Sequence, residues 1–148
     1  MKVIVASDHR GFKVKESIFL QLSELGDSVS NAGPFTEHSV DYPDFSAIIA
    51  NEISQGHADR GILVCGTGIG MAITANKFPS VRAASCMNEL SAKLSRQHND
   101  LNVLCIGADL LSMSEINNIV KIWLETKFEG NRHQRRIDKI DYYENNGV

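Results

Sequence analysis

The chain has 148 residues, 15 Lys and Arg against 18 Asp and Glu, and a formal net charge of −3. That length suits one ordinary domain spanning 1–148, able to bury a core without disulfides or metals. A mildly acidic chain that is 43% hydrophobic and 22% charged excludes a non-specific binder of nucleic acid or anionic membrane.

The first apolar run is broken at Asp8, too early for a signal peptide or a membrane span. Cys65, Cys86 and Cys105 are odd in number and form no C-x-x-C pair, so neither a disulfide framework nor a zinc knuckle is indicated. A reducing cytoplasm is the expected compartment.

Lys2–Ser7 (KVIVAS) predicts a strand buried on both faces, as parallel sheets require. Val14, Ile18, Leu22 and Leu25 predict a helix, with Gly26 just past its end. Asp27–Asn31 is a short candidate strand. After Pro43, a helix carries Phe45, Ile48, Ile49 and Ile53 on one face. Gly61–Cys65 is the clearest strand, and Gly66–Gly70 (GTGIG) the loop after it. A helix over Met71–Lys77 stops before Pro79. Val81–Ser85, Asn88–His98 and Asn102–Gly107 read as strand, helix and strand. Ser112 and Glu115 form a capping box before Ile116, Ile119, Val120 and Trp123, and the tail beyond Gly130 is polar.

Strand and helix alternate, which predicts a doubly wound α/β domain with a mainly parallel, Rossmann-like sheet and a C-terminal helical tail. Ligands of such folds sit beyond the carboxyl ends of the strands. Asp8-His9, the Cys65–Gly68 stretch, Cys86 and Gly107–Asp109 lie there. The glycine loop lets backbone N–H groups converge on an anion, though its spacing matches neither a P-loop nor G-x-G-x-x-G. A tight βα turn explains it equally well. Cys65 stands directly before those donors, while Cys86 and Cys105 have no such neighbours and read as core. His98 taken alone reads as a cation capping a helix end. Arg132, His133, Arg135 and Arg136 form a basic cluster, and a helix would put Arg132 and Arg136 on one face, as phosphate recognition favours.

Six stretches together carry a resemblance. They are ASDHRGFKVK at Ala6–Lys15, VDYPDF at Val40–Phe45, VCGTGIGMAITANK at Val64–Lys77, RQHND at Arg96–Asp100, NVLCIGA at Asn102–Ala108 and FEGNRHQRR at Phe128–Arg136. In this order and nearly end to end, they resemble the type B ribose-5-phosphate isomerases, a family shared with galactose-6-phosphate isomerase subunits. The resemblance implies aldose–ketose isomerisation of ribose 5-phosphate and ribulose 5-phosphate through a cis-enediolate, without cofactor or metal. It also implies a homodimer or homotetramer whose subunits share active sites, with neither nucleic acid nor membrane as partner.

By the matched motifs, Cys65 is the base and Thr67 a relay of hydroxyl protons. Some relatives use instead a glutamate where this chain has Met71. Gly66, Gly68, Ile69 and Gly70 would stabilise the enediolate oxygen through their amides. His98 would open the furanose ring, with Asn99 beside it. Asp8, His9 and Tyr42 would line the sugar and phosphate site, and Arg132 and Arg136 would clamp the phosphate. One position departs from the pattern: many relatives carry an arginine where this chain has Asp109. A carboxylate there opposes phosphate binding, so either Arg135, Lys139 or His9 compensates, or affinity and substrate size preference shift. A six-carbon sugar phosphate as substrate, or a non-catalytic phosphosugar-binding subunit, are the alternatives the sequence leaves open.

Overall fold

A computed structural model describes residues 1–26 and 28–147. The apolar runs become β1 (Lys2–Ser7), β2 (Ser28–Asn31), β3 (Arg60–Cys65), β4 (Ala83–Ser85) and β5 (Val103–Gly107). They form one sheet in the order β2-β1-β3-β5-β4, with every pairing parallel. The helices are α1 (Phe12–Glu24), α2 (Tyr42–Ser54), α3 (Ile69–Ala75), α4 (Glu89–Asn99), α5 (Met113–Glu125) and α6 (Gln134–Asn146).

Side chains alternate across each strand and so feed two cores. Val3, Val5, Ile62, Val64, Leu104 and Ile106 pack with α1, α4 and α5 around Trp123. Ile4, Ala6, Leu63, Cys65, Val103 and Cys105 pack on the other face with α2 and α3, against Ile49, Met71 and Ala75. Helices thus cover both faces, which is the doubly wound, Rossmann-like arrangement.

The structure moves several expected boundaries. α3 begins two residues early, at Ile69, because Gly68 at φ 76° turns the loop directly into the helix. β4 contracts to Ala83–Ser85, since the Arg82 N–H donates to the Asn102 side chain. α1 ends at Glu24, leaving Leu25 exposed outside the core, and Ile48 is turned from the face that buries Ile49. Asp27 of the second expected strand lies outside the described residues. α6 starts after Arg132, so that arginine does not share its helix with Arg136.

β1 has β2 on one side and β3 on the other, and the chain reverses its direction of travel across the sheet there. The crevice at such a switch point opens between the carboxyl ends of β1 and β3. The turn after β1 closes tightly on β3: the Asp8 N–H donates to the Val64 carbonyl at 3.0 Å, and the Gly11 N–H to Oδ1 of Asp8 at 2.9 Å. A Cβ on Gly11 would overlap the Val64 carbonyl, reaching within 2.6 Å of its carbon. Gly11→Ala should therefore lower the unfolding free energy by about 1–3 kcal/mol, the usual cost of overpacking, as measured by urea denaturation.

Candidate active site

β3 delivers Cys65 to the carboxyl edge of the sheet, where it is 5% exposed. The loop after it bends back, and the Gly68 N–H donates to Cys65 Sγ at 3.1 Å. Ile69 N–H donates to Thr67 Oγ1 at 3.3 Å. Two of the amides expected to face a sugar oxygen are therefore used inside the loop. The Gly66, Thr67 and Gly70 N–H groups have no acceptor among the described residues and remain its open donors. Thr67 is exposed, and its carbonyl accepts from the Ser85 hydroxyl.

An open cleft of about 280 Å³ lies over this loop, lined by Asp8, Arg10, Tyr42, Cys65, Gly66, Thr67, Gly70 and Asp109. Asp8 comes from the end of β1, Tyr42 from the first turn of α2, and Asp109 from the loop after β5. Tyr42 can lie over the loop only because Gly70 has no side chain: a Cβ there would sit 2.6 Å from the ring. His9 is half-buried beside the cleft, its Nδ1 within 3.3 Å of both the carbonyl and the N–H of Val40. Gly68 and Ile69 do not line the cleft.

Asp109 pairs with Arg10, a residue that is not among Arg135, Lys139 and His9, the compensating groups considered from the sequence. Arg10 lies inside one of the recognisable stretches, yet no local pattern links it to a carboxylate ninety-nine positions later.

His98 and Asn99 belong to a second cluster. They end α4, which starts at Glu89, capped by Asn88 beyond the carboxyl end of β4, and runs back against the strands. At its far end, Arg82, just before β4, donates to the carbonyls of Asn99 and Asp100. His98 and Cys65 are thus at opposite ends of the sheet, separated by roughly the length of a six-residue strand, about 20 Å. Asp100 holds this end by pairing with Arg82 at 3.0 Å and the buried Arg96 at 2.8 Å.

The His98 ring stacks on His133, centroids 4.3 Å apart and planes 8° from parallel. Arg132 Nε donates to His133 Nε2 at 3.3 Å, and Arg136 Nη1 lies 3.5 Å from Nδ1. Although they share no helix, the two arginines flank one imidazole. Burial pulls the His133 pKa down, and the neighbouring His98, Arg132 and Arg136 pull it further, against Glu129. Glu129 lies 3.6 Å from His133, so His98, Glu129 and His133 place three ligand atoms within 4.8 Å of one another. In-plane lone pairs of parallel stacked rings do not converge on one point, and two guanidinium groups oppose a cation. This cluster does not fit a metal. Asn99 is exposed at the same end. Sequence reasoning includes His133 only in the basic cluster and assigns it no part in the site; its place between two arginines is the available signal. Burial also raises the thiol pKa of Cys86 and, well above its ordinary value, that of Cys105, consistent with core roles.

Among the described residues no helix is long and apolar enough to cross a membrane. The family model described as Ribose/Galactose Isomerase matches residues 3–140. Ribose-5-phosphate isomerase B of Escherichia coli is 42% identical over 139 residues, covering 94% of this chain and 93% of the relative. Ribose-5-phosphate isomerase B of Clostridium thermocellum superposes with a TM-score of 0.97 at 41% identity, over 100% of both chains. The Mycoplasma genitalium enzyme with bound ribulose-5-phosphate has a TM-score of 0.95 at 41% identity, covering 98% of this chain and 97% of that one. Match and coverage together place the chain in the ribose/galactose isomerase family.

Proposed function

We infer that this chain is an aldose–ketose isomerase that interconverts ribose 5-phosphate and ribulose 5-phosphate. The observation that carries this reading is Cys65, with its Sγ held by the Gly68 N–H at the switch-point cleft of a chain 42% identical to such an isomerase. Cys65 takes the proton from C2 of the open-chain aldose and returns it to C1. Between those steps the substrate is a cis-enediolate, whose oxygen charge needs fixed donors. The open amides of Gly66, Thr67 and Gly70 supply them, and the Thr67 hydroxyl passes protons between the two oxygens. Asp8, His9 and Tyr42 orient the sugar. No metal or cofactor has a step to perform.

His98 donates a proton to the ring oxygen as the furanose opens, and Asn99 sits beside it on the sugar. Arg132 and Arg136 hold the phosphate. Because one chain holds Cys65 and His98 at opposite ends of its sheet, a complete site needs a second copy. Exposed Ile69, Ile73 and Leu90 offer apolar area for that partner. The working unit is therefore a homodimer or a tetramer built from it, each chain acting as one domain. Cytoplasmic pentose phosphate metabolism is its setting.

Cys65→Ala should keep its fold and lose about 10²–10⁴ in kcat, the usual contribution of a general base. Wild-type turnover by that variant would end the assignment. His98→Ala should slow ribose 5-phosphate, which must open its ring, more than ribulose 5-phosphate, which has no furanose form. Mixing the two inactive variants tests the shared site. Random exchange into two-fold dimers restores one intact site in half of the dimers, about a quarter of wild-type activity. No recovery after demonstrated subunit exchange would mean that one chain supplies the whole site.

The His133 pKa is lowered from 6.5, so as pH falls the unfolded chain takes up this proton first. The contribution to stability is complete above about pH 6.5 and is lost as pH falls toward the folded-state value. His133→Gln should flatten the difference between urea midpoints at about pH 8 and about pH 5, the range over which histidine titrates.

A further inference from the structure

Among the described residues lining the Cys65 cleft, Arg10 is the one fixed cation, and it sits with two carboxylates, Asp8 and Asp109. Arg10 Nε donates to Asp109 Oδ2 at 2.8 Å, and Nη2 lies 2.5 Å from the same oxygen. Their side chains are 59% and 40% exposed, and so open an ion pair adds little to stability. What the pair does fix is geometry. Asp109 is itself held in place, since its N–H donates to the Gly66 carbonyl at 3.1 Å and the Ala108 N–H to the Cys65 carbonyl at 2.8 Å. The pair rests on Gly66, where a Cβ would lie 2.6 Å from Asp109 Oδ2 and 3.0 Å from Arg10 Nε. The guanidinium is therefore anchored over the residue that follows Cys65.

Asp109 occupies one edge of the fork. Arg10 Nη1 has no acceptor among the described residues, which leaves the end-on Nη1/Nη2 edge available to a ligand. That edge matches two phosphate oxygens. Without Arg10, the chain that carries Cys65 would offer a doubly charged phosphate in this cleft two carboxylates and no cation of its own.

We propose that Arg10 contacts the phosphate of the sugar-phosphate substrate and that Asp109 is its positioning residue. This rests on the isomerase reading above. The guanidinium that the family resemblance expects at position 109 is supplied here from position 10, across the crevice. Asp109 is then an anchor, not a source of repulsion, and Asp109→Arg alone would set two guanidinium groups against each other.

The test uses the full-length oligomer and inorganic phosphate as the probe, by calorimetric titration and by competition against ribose 5-phosphate. Arg10→Ala should weaken phosphate binding and raise KM about tenfold or more, as for the loss of one charge-assisted bond, with a smaller effect on kcat. Arg10→Ala combined with Asp109→Arg should regain most of that affinity, because side chains from the two positions reach the same point. Arg10→Lys should bind with intermediate affinity, keeping the charge without the fork. Unchanged phosphate affinity in Arg10→Ala overturns the proposal. So does a double variant with wild-type circular dichroism and oligomeric mass that recovers nothing. The titration needs no turnover, so the two readings fail separately. A wild-type chain inert toward ribose 5-phosphate ends the isomerase reading, whereas phosphate affinity indifferent to Arg10 ends this one.

Discussion

All strands of a parallel sheet point one way, so every helix between them must run back the other way. A residue that follows a strand therefore sits at one end of the molecule, and a residue that ends the next helix sits at the opposite end. This decides where the chemistry can occur. Cys65 closes β3 and faces the crevice, whereas His98 closes α4 and faces away from it. Asn99, Arg132 and Arg136 stay with His98, and Asp8, Tyr42 and Thr67 stay with Cys65. Local flexibility cannot join the two groups, because the β-sheet lies between them. The separation of the His98 cluster from the Cys65 cleft follows from topology, and on the proposed function the need for a second chain follows from that separation.

Each group is stiffened by polar contacts of its own. At the His98 end, Arg96 is buried, donates to the Leu101 carbonyl and pairs with Asp100, which also receives Arg82. Taking such charges out of water contributes little net stability, and what it provides is a fixed geometry. The last turn of α4 cannot fray without separating these partners, so the His98 ring keeps its stack on His133. At the Cys65 end, the corresponding contacts are backbone ones. Ala108 and Asp109 donate to the carbonyls of Cys65 and Gly66, fastening the loop after β5 to the loop after β3.

The readability of the sequence follows the range of the interactions. The central strands were legible because β-branched runs buried on two faces have few other structures open to them. Cys65 was legible because strand end, thiol and glycine loop are contiguous. Boundaries set by side chains were not: Asn102 takes the Arg82 N–H, and β4 starts later than its apolar pattern suggests. Arg132 and Arg136 are neighbours, as their spacing predicts, but it is the His133 ring and not a shared helix face that brings them together. The Arg10–Asp109 pair could not be read at all. Asp109 is conspicuous as an acid where the family resemblance expects an arginine, yet its partner is found only when β1 and β5 are placed on either side of β3.

The same separation changes what the glycine loop is for. From sequence, its glycines signify backbone donors gathered around an anion. In the structure the Gly68 amide holds the sulfur and the Ile69 amide closes on Thr67, so donation to substrate falls to fewer groups. Gly66 and Gly70 act by leaving space. At Gly66 a Cβ would strike Asp109 and crowd Arg10, and at Gly70 it would strike Tyr42. Missing side chains thus admit walls borrowed from the turn after β1, the loop after β5 and the start of α2. Those walls belong to segments other than the one that carries Cys65. In a chain built this way the side chains that wall the cleft, Arg10 and Asp109 among them, are set independently of the strand that ends in the sulfur.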